Sequence, residues 1–270
     1  MEIKKTMNFN SLKEKYLYYR DMTDYKLYPN SYVMVMLDGR SFSKKIKNKF
    51  ECPFDKRLID IMNKTAVYLC ENVSNCKFAY VQSDEITLVL SDFGDKEPFF
   101  GNRLCKLQSV IASMATSKFN QLMLINDIEN TPCSKDDVID IIKTHTLYEF
   151  DCKAWNLPSI DDVAASLLYR QNDCIRNSKE AVAQHYFSHK ELQGKKTDEQ
   201  IKMVKNNFNI DWFSDYSDGE KYGRFITHSR IKMINENGEQ FQRRSWDISD
   251  GCILTEEVNR VMIKIKIITS

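Results

Sequence analysis

The sequence predicts an α+β fold with a ferredoxin-like core. Three observations predict it: a buried strand is followed by an amphipathic helix, a hairpin of two strands comes next, and a second amphipathic helix precedes another strand. The resulting order, β-α-β-β-α-β, is that of the split βαβ arrangement.

The first half of this core is built from residues 32–93. Residues 32–37, YVMVML, form a continuous apolar run with β-branched Val33 and Val35, which is typical of a strand buried on both faces. A proline at position 53 and apolar residues at helical spacing predict a helix over 54–73. Residues 77–93 predict two strands, and the turn at 82–85 is too short for a parallel crossover.

The same patterns predict the elements in the second half of the core and in the rest of the chain. Leu107 and Ile111 belong to an apolar stripe that predicts a helix over 104–122, and the segment THTLYEF predicts a fourth strand over 144–150. Beyond it we expect a helix over 160–186 and a late hairpin at NENGEQ. We expect one catalytic domain over 1–270, with its core at about 30–152 and a helical and C-terminal elaboration at 153–270.

Composition narrows the class of protein. The 270 residues are 42% hydrophobic and 29% charged, as in globular proteins, and the net charge of +1 does not indicate a strongly basic nucleic-acid binder. The sequence contains no apolar run long enough to span a bilayer and no apolar signal core near its start. We therefore expect no membrane association and a cytoplasmic location, with a mitochondrial one as the alternative. The eight cysteines form no Cys-x-x-Cys pair and indicate reduced thiols.

Acidic residues mark one edge of the predicted sheet. Asp38 ends the first strand, and Asp84 and Glu85 begin the third. In the common ferredoxin-like order these strands are antiparallel neighbours, so the three acids meet. Because crowded carboxylates repel one another, a cation is the natural partner, and oxygen ligands favour Mg²⁺. Two such ions could serve an in-line phosphoryl displacement. The simpler interpretation is a strand-end turn and a solvated loop tip; polymerase palms and nucleotide cyclases share the geometry.

Basic residues lie close to these acids. Arg40 and lysines 44, 45, 47 and 49 follow Asp38, with hydroxyls at Ser41 and Ser43, and such donors suit a triphosphate. A solvated lysine-rich loop is the alternative for the later lysines. Arg103 and Lys106 share one helix face, which we expect near the same edge, and a solvated face is again the alternative.

A further basic segment mixes cations with aromatic side chains, a composition that could bind RNA phosphates and stack bases, although a surface helix would look similar. Its candidate RNA contacts are Arg170, Arg176, Asn177, Ser178 and Lys190.

Five ordered segments carry a family resemblance: LDGRSFS, AYVQSDEITLVL, FDCKAWNLP, YRQNDCIRNS and FSHKELQGK. Together they resemble the histidine tRNA guanylyltransferase family, and more narrowly its guanylyltransferase-like branch of 3′–5′ RNA polymerases. The resemblance runs from about residue 30 to 200 and continues, more loosely, through YGRFITHSR and RRSWDIS.

The resemblance implies a palm-like domain with two Mg²⁺ ions and a set of site residues. Asp38 and Asp84 match the metal-bridging aspartates, the carbonyl of Gly39 matches a backbone ligand, and Glu85 matches the second acid of a Ser-Asp-Glu motif. The implied nucleotide-binding residues are Asp38, Gly39, Arg40, Ser41, Phe42, Ser43, Ser83, Asp84, Arg103 and Lys106.

The implied activity is addition of nucleotides to the 5′ end of tRNA after activation with ATP, with ATP and GTP or other nucleoside triphosphates as substrates and a homotetramer as the assembly. Histidine-specific members carry His-Ile-Asn-Asn where this chain has residues 175–178, Ile-Arg-Asn-Ser, which favours template-dependent repair over addition of a single G. The alternatives are that single-G addition, a tRNA-binding protein without catalysis, or a palm-type nucleotide cyclase. Cys52 replaces a family lysine, which weakens the expectation of ATP activation.

Overall fold

The computed structural model describes residues 9–46, 49–94, 96–131, 134–234 and 240–270. Six strands lie in one sheet; they are β1 (Tyr32–Gly39), β2 (Cys76–Gln82), β3 (Glu85–Ser91), β4 (Phe150–Leu157), β5 (Arg224–Ile234) and β6 (Gln240–Asp250). The sheet order is β4-β1-β3-β2-β5-β6, and each neighbouring pair is antiparallel. The first four strands thus have the ferredoxin-like order, and β5 and β6 extend it at the β2 edge.

Ten helices are described; they are α1 (Leu12–Asp21), α2 (Phe42–Lys45), α3 (Lys56–Asn72), α4 (Leu104–Glu129), α5 (Lys135–Thr144), α6 (Ile160–Tyr186), α7 (His189–Leu192), α8 (Thr197–Phe208), α9 (Asp218–Tyr222) and α10 (Glu257–Thr269). A short 3₁₀ segment, Phe99–Asn102, precedes α4. No helix among the described residues is long and apolar enough to cross a membrane.

Two layers of helices cover the sheet, because its inner strands are apolar on both faces. Val33, Val35 and Leu37 of β1 pack with α3 and α4 on one face. Met34 and Tyr32 belong to the opposite face, where the cluster includes side chains of α6 and α10. A third apolar cluster joins the end of α6 to α8 and surrounds Trp212. The long helix α6 therefore connects the sheet with the third cluster.

The predicted order of core elements is confirmed, including the helices near 54–73 and 104–122 and the pairing of the first strand with the third. The fourth strand was predicted wrongly at 144–150. Ser134 and Asp137 form a capping box that starts α5, this helix continues to Thr144, and β4 begins only at Phe150. The late hairpin is present as β5 and β6, and its tip at 235–239 lies outside the described residues.

Candidate metal and nucleotide site

The strand register brings acidic residues together at one end of the sheet. Asp38 of β1 lies directly opposite Glu85 of β3 and directly opposite Asp151 of β4. Residues that are directly opposite in an antiparallel pair point to the same face. Three neighbouring strands therefore place one acid each on the face covered by α6, and Asp84 adds a fourth from the β2–β3 turn.

Asp151 was missed by the sequence analysis. The predicted fourth strand ended at Phe150, so Asp151 had no assigned position in the sheet. Phe150 to Ala154 alternate strictly between apolar and polar residues, a strand signal that could have placed β4 here. Once β4 is placed at Phe150–Leu157, antiparallel pairing with β1 puts Asp151 beside Asp38 without further information.

The electrostatics of the site favour a bound cation. Asp38 is exposed at the strand end, yet the surrounding protein removes part of its water, and this desolvation, followed by repulsion from Asp84, Asp151 and Glu85, raises its pKa. Burial is also the main cause that raises the pKa of Asp84. Ionising these groups therefore costs free energy, and a nearby positive charge would offset that cost.

The β2–β3 turn has the geometry that fixes Asp84. Ser83 and Asp84 are its two central residues, and Ser83 has a φ of 43°. Asp84 is not among the residues with positive φ, and a positive φ at the first central position alone is the mark of a type II′ hairpin, which usually has glycine there. The Ser83 hydroxyl donates to Asp84 Oδ1 at 3.0 Å, and the Gly39 N–H donates to the Asp84 carbonyl at 3.1 Å. The turn thus orients the Asp84 carboxylate and ties it to the end of β1.

Gly39 is required by the close approach of Phe42. A Cβ at position 39 would lie 2.5 Å from the Phe42 ring, which is buried against Phe119, Tyr148 and Phe150. Phe42 was predicted as a nucleotide-binding residue, and this prediction is wrong for its side chain, since the ring is only 1% exposed.

The exposed side chains of the same segment are Arg40, Ser41, Ser43 and Lys44. Two lysines predicted to continue the basic run are held by acids: Lys45 pairs with Glu149, and Lys49 Nζ lies 2.7 Å from Asp127 Oδ2. Lys47 lies outside the described residues. Arg40 and Lys44 are therefore the cations of this segment that remain available to a ligand in the described part of the chain.

Glu85 and Arg170, predicted as a metal ligand and an RNA contact, bind each other. Arg170 Nε donates to Glu85 Oε1 at 2.8 Å, and Nη2 donates to Oε2 at 2.6 Å. Its third donor group, Nη1, reaches Asp173 Oδ2 at 2.8 Å. In this arrangement the guanidinium already compensates Glu85, so Asp38 and Asp84 are the better candidates for metal ligands.

Arg103 and Lys106 lie at the wrong end of the sheet for a triphosphate bound by the same chain. Asn102 and Leu104 hydrogen-bond to the backbone of Leu27 and Tyr25, ahead of β1. Asp38 is at the opposite end of that strand, roughly 20 Å away at about 3.3 Å per residue. The expectation that they sit near the acids of their own chain is wrong, because β3 runs antiparallel to β1 and returns the chain to the start of β1 before α4 begins.

The predicted RNA contacts divide by exposure. Arg176, Asn177 and Lys190 are exposed. Ser178 is buried, and its hydroxyl oxygen accepts a hydrogen bond from Trp212 Nε1 at 2.9 Å. This position argues against its prediction as an RNA contact, because the side chain is buried beside Trp212 of the third apolar cluster.

A groove beside the acids could receive a nucleotide-sized ligand. It has a volume of about 480 Å³, within the range of small-molecule sites, and lies between β1, β4 and α6. Met36, Lys153, Trp155, Tyr169 and Arg170 contribute to its lining. The groove therefore combines apolar and aromatic surfaces with Lys153, whereas the Arg170 guanidinium at its end is already bound by Glu85 and Asp173.

The donor set fits a magnesium ion that is completed by a substrate. Within the described ranges, no three His, Cys, Asp or Glu side chains are close enough to form a metal cluster by themselves. Mg²⁺ typically uses one or two carboxylates together with waters and substrate phosphates. Asp38 and Asp84, with the carbonyl of Gly39 next to Asp38 in the chain, would supply such a partial set.

A family model described as tRNAHis guanylyltransferase (Thg1) matches residues 14–158, more than half of the chain. The chain belongs to the tRNAHis guanylyltransferase family. The match includes Asp38, Asp84, Glu85 and Asp151, and therefore the whole acidic end of the sheet. The family resemblance predicted from the sequence motifs is confirmed.

Two solved structures share the fold of this tRNAHis guanylyltransferase family member over nearly its whole length. A bacterial tRNA(His) guanylyltransferase (Thg1)-like protein in complex with ATP is 29% identical, with a TM-score of 0.77, and the match covers 95% of this chain and 99% of that one. A structure of a bacterial Thg1-like protein in complex with GTP is 28% identical, with a TM-score of 0.71, over 96% of this chain and 99% of that one.

The match to a fungal family member is shorter. The tRNA(His) guanylyltransferase of Neurospora crassa is 32% identical over 153 residues, which cover 56% of this chain and 48% of the fungal protein. The chain thus spans about half the length of that relative, whereas it spans the bacterial Thg1-like structures almost completely.

Proposed function

We propose that this protein adds nucleotides to the 5′ end of tRNA in the 3′–5′ direction, in a template-dependent reaction that repairs truncated 5′ ends. The observation that carries the proposal is the convergence of Asp38 and Asp84 at the sheet end, in a chain of the tRNAHis guanylyltransferase family. Relatives crystallised with ATP and with GTP support nucleoside triphosphates as substrates.

The proposed reaction has two steps. In the first, an oxygen of the RNA 5′-monophosphate attacks the α-phosphorus of ATP, and pyrophosphate leaves. In the second, the 3′-hydroxyl of an incoming nucleoside triphosphate loses its proton and attacks the activated 5′-phosphorus, and AMP leaves. Each step exchanges one phosphoester or phosphoanhydride bond for another.

The residues of the chain have distinct parts in this proposal. Asp38 and Asp84, with the Gly39 carbonyl, would hold two Mg²⁺ ions. When bound, these ions would stabilise the negative charge on the attacking and leaving oxygens. Ser83 fixes the Asp84 carboxylate through its hydroxyl. Arg40 lies exposed beside them and can donate to phosphate oxygens.

Templating is favoured over addition of a single G for one reason in the sequence. Residues 175–178 read Ile-Arg-Asn-Ser, whereas histidine-specific members carry His-Ile-Asn-Asn. Addition of one G to tRNAHis is the second candidate, and it would give the same product whatever base lies opposite.

We further propose a homotetramer in the cytoplasm, which size-exclusion chromatography with light scattering and microscopy of the tagged protein would test.

The deciding experiment is an extension assay on tRNAs that lack the first nucleotide. The full chain is incubated with 5′-monophosphorylated RNA, ATP, Mg²⁺ and all four triphosphates, and the base opposite the missing position is varied. We expect one product band whose added nucleotide pairs with that base, and no product from Asp84→Ala. Addition of G opposite every base would favour the second candidate. RNA binding without extension of any substrate, even with a 5′-triphosphate, would leave only a non-catalytic tRNA-binding protein.

A further inference from the structure

Basic side chains surround a cavity far from the acids. The cavity, of about 270 Å³, lies between the β5–β6 hairpin and the end of α10, and its lining includes His228, Arg230, Arg244 and Lys266. Lys77 and Lys96 lie close to His228 and Arg244. The six residues Lys77, Lys96, His228, Arg230, Arg244 and Lys266 are called the basic patch.

The strand register forces two cations of the basic patch against each other. Arg230 of β5 lies directly opposite Arg244 of β6. Like charges that are directly opposite in an antiparallel pair destabilise the pair. Such a pair is tolerable when an anion lies between or beside the two guanidinium groups, since both can donate to the same phosphate.

A second pair of like charges lies at the start of β2. Burial, followed by the nearby charges of Lys96 and Arg244, lowers the pKa of Lys77 to about 8. Burial and the same cations also lower the pKa of His228, whose ring is stacked on Trp246 with centroids 3.8 Å apart. Lys77 and Lys96 thus lie beside Arg244, so like charges gather at one place in the fold.

Among the described residues that line the cavity, basic side chains outnumber acidic ones. No carboxylate side chain lines the cavity in the part of the chain that the structure describes. Lys77 Nζ donates to an oxygen of Ser270, which occupies one of its three donors. Ser229 Oγ, in the lining of the cavity, is buried and has no hydrogen-bond partner among the described residues. Cations in excess and an unused hydroxyl form a surface suited to phosphate.

The position of the basic patch distinguishes it from the candidate catalytic site. Lys77 is at the start of β2, whereas the Asp84 turn follows the end of the same strand. Five residue steps along the strand and two strand spacings across the sheet separate Lys77 from Asp38, roughly 20 Å in total. One nucleoside triphosphate cannot reach both places, but an RNA chain can.

We propose that the basic patch binds phosphate groups of the RNA backbone, at a distance from the end that reacts. This proposal rests on the proposed function, because it takes the RNA to be the substrate held at the acidic end of the sheet. The patch would contribute affinity without reading the base sequence, as phosphate contacts do. Free inorganic phosphate and nucleoside triphosphates share the same chemistry, so the test includes them as separate ligands.

The test measures binding without catalysis. The full chain and the variant Lys96→Gln/Arg244→Gln are titrated with a labelled tRNA that lacks its first nucleotide, at several salt concentrations between about 50 and 200 mM. We expect the slope of log affinity against log salt to become shallower by about two, one for each cation removed from a phosphate. The matched control is Lys64→Gln/Lys118→Gln, which removes the same charge from the outer helices α3 and α4 and leaves the slope unchanged.

Each outcome decides the proposal. An unchanged slope in the patch variant, or an equal change in the control, overturns it. If the variant binds inorganic phosphate or ATP more weakly but keeps its RNA slope, the RNA assignment is overturned. Circular dichroism spectra and melting temperatures show whether the variants are folded, and the single variant Lys96→Gln, at an exposed side chain, repeats the test with an expected change of about one. Absence of 5′ extension in the assay on truncated tRNAs would refute the proposed function while these binding data still stand.

Discussion

Glu85 and Arg170 face each other in a two-point hydrogen bond, with Nε–Oε1 and Nη2–Oε2 distances of 2.8 and 2.6 Å. The pair joins the first residue of β3 to the middle of α6, at the end of the sheet where the acids meet. Asp173 holds the same guanidinium from within the helix and also pairs with Arg176. The relationship fixes α6 against the acidic end of the sheet and presents the exposed Arg176 next to it.

Removing Arg170 should destabilise the protein strongly. The side chains of Arg170 and Glu85 are only 17% and 10% exposed, and a buried charge left without its partner typically costs about 3–5 kcal/mol. We expect Arg170→Gln to lower the free energy of unfolding by about 3 kcal/mol in denaturant titrations. Arg170→Lys should recover little of it, because one ammonium group cannot reproduce the planar fork.

Two control variants test whether loss of the Glu85–Arg170 ion pair causes this destabilisation. Arg176→Gln makes the same change on the same helix at an exposed side chain and should cost less than about 1 kcal/mol. Glu85→Gln/Arg170→Gln removes both charges and should be more stable than Arg170→Gln alone. If Arg170→Gln is as stable as Arg176→Gln, the ion pair does not anchor α6.

Replacing Asp38 should raise the stability of the metal-free protein and lower its activity. The raised pKa of Asp38 means that its ionisation costs more free energy in the folded protein than in the unfolded chain, so Asp38→Asn removes this cost. We expect the variant to melt at a higher temperature than the unmodified protein without metal. Added Mg²⁺ should raise the melting temperature of the unmodified protein but not of the variant, since ligands that bind the folded state stabilise it.

The activity of the same variant should fall more than about 100-fold in the extension assay, because a bound metal ion contributes several kcal/mol to such a transition state. Asp60→Asn, an exposed acid on α3 that pairs with Lys64, serves as the control and should respond to Mg²⁺ like the unmodified protein. A magnesium response that persists in Asp38→Asn would remove Asp38 from the metal site.

A methyl group at position 39 should disturb the core beneath the site. The added Cβ would lie 2.5 Å from the Phe42 ring, and the ring cannot move easily because three other aromatic rings surround it at centroid distances of 5.0 to 5.2 Å. Overpacking of this kind costs about 1–3 kcal/mol, so Gly39→Ala should lower the free energy of unfolding by that amount.

A double-mutant cycle with Phe42→Leu checks the cause. The smaller side chain should make Gly39→Ala less harmful than it is next to phenylalanine, which gives a coupling free energy of at least about 0.5 kcal/mol. Additive effects of the two substitutions would mean that Phe42 is not the reason for glycine at this position.

The contrast between what the sequence predicted and what it did not has a physical cause. The strand β1 was predictable because its apolar run admits one interpretation, and the pairing of Asp38 with Glu85 follows from strand order alone. Asp151 was missed because the predicted strand stopped at Phe150, where the alternating pattern of β4 begins, and Ser178 was misassigned because a serine gives no sign of whether it is buried. Arg103 was predicted at the wrong end of the sheet because it directly precedes α4. The antiparallel strand β3 returns the chain to the start of β1 before α4 begins.

Lys77 offers a pH test of the basic patch. Its pKa in the folded protein is about 8, against 10.5 for an ordinary lysine, because of burial, Lys96 and Arg244. A lowered lysine pKa means that the folded state binds fewer protons than the unfolded state between these two values, so stability should rise with pH from about 8 to 10.5. In Lys77→Gln this rise should be smaller, as measured by urea unfolding at a series of pH values.

Bound RNA should raise the pKa of Lys77. A phosphate beside Lys77 stabilises its charged form, so the pKa of Lys77 should move upward from about 8 when the truncated tRNA is added. Nuclear magnetic resonance of the lysine side chains, assigned through Lys77→Gln, would follow this change directly. A phosphate in contact with a partly buried ammonium group must change the proton affinity of that group. A pKa of Lys77 that is the same with and without saturating RNA would therefore show that the backbone phosphates bind elsewhere.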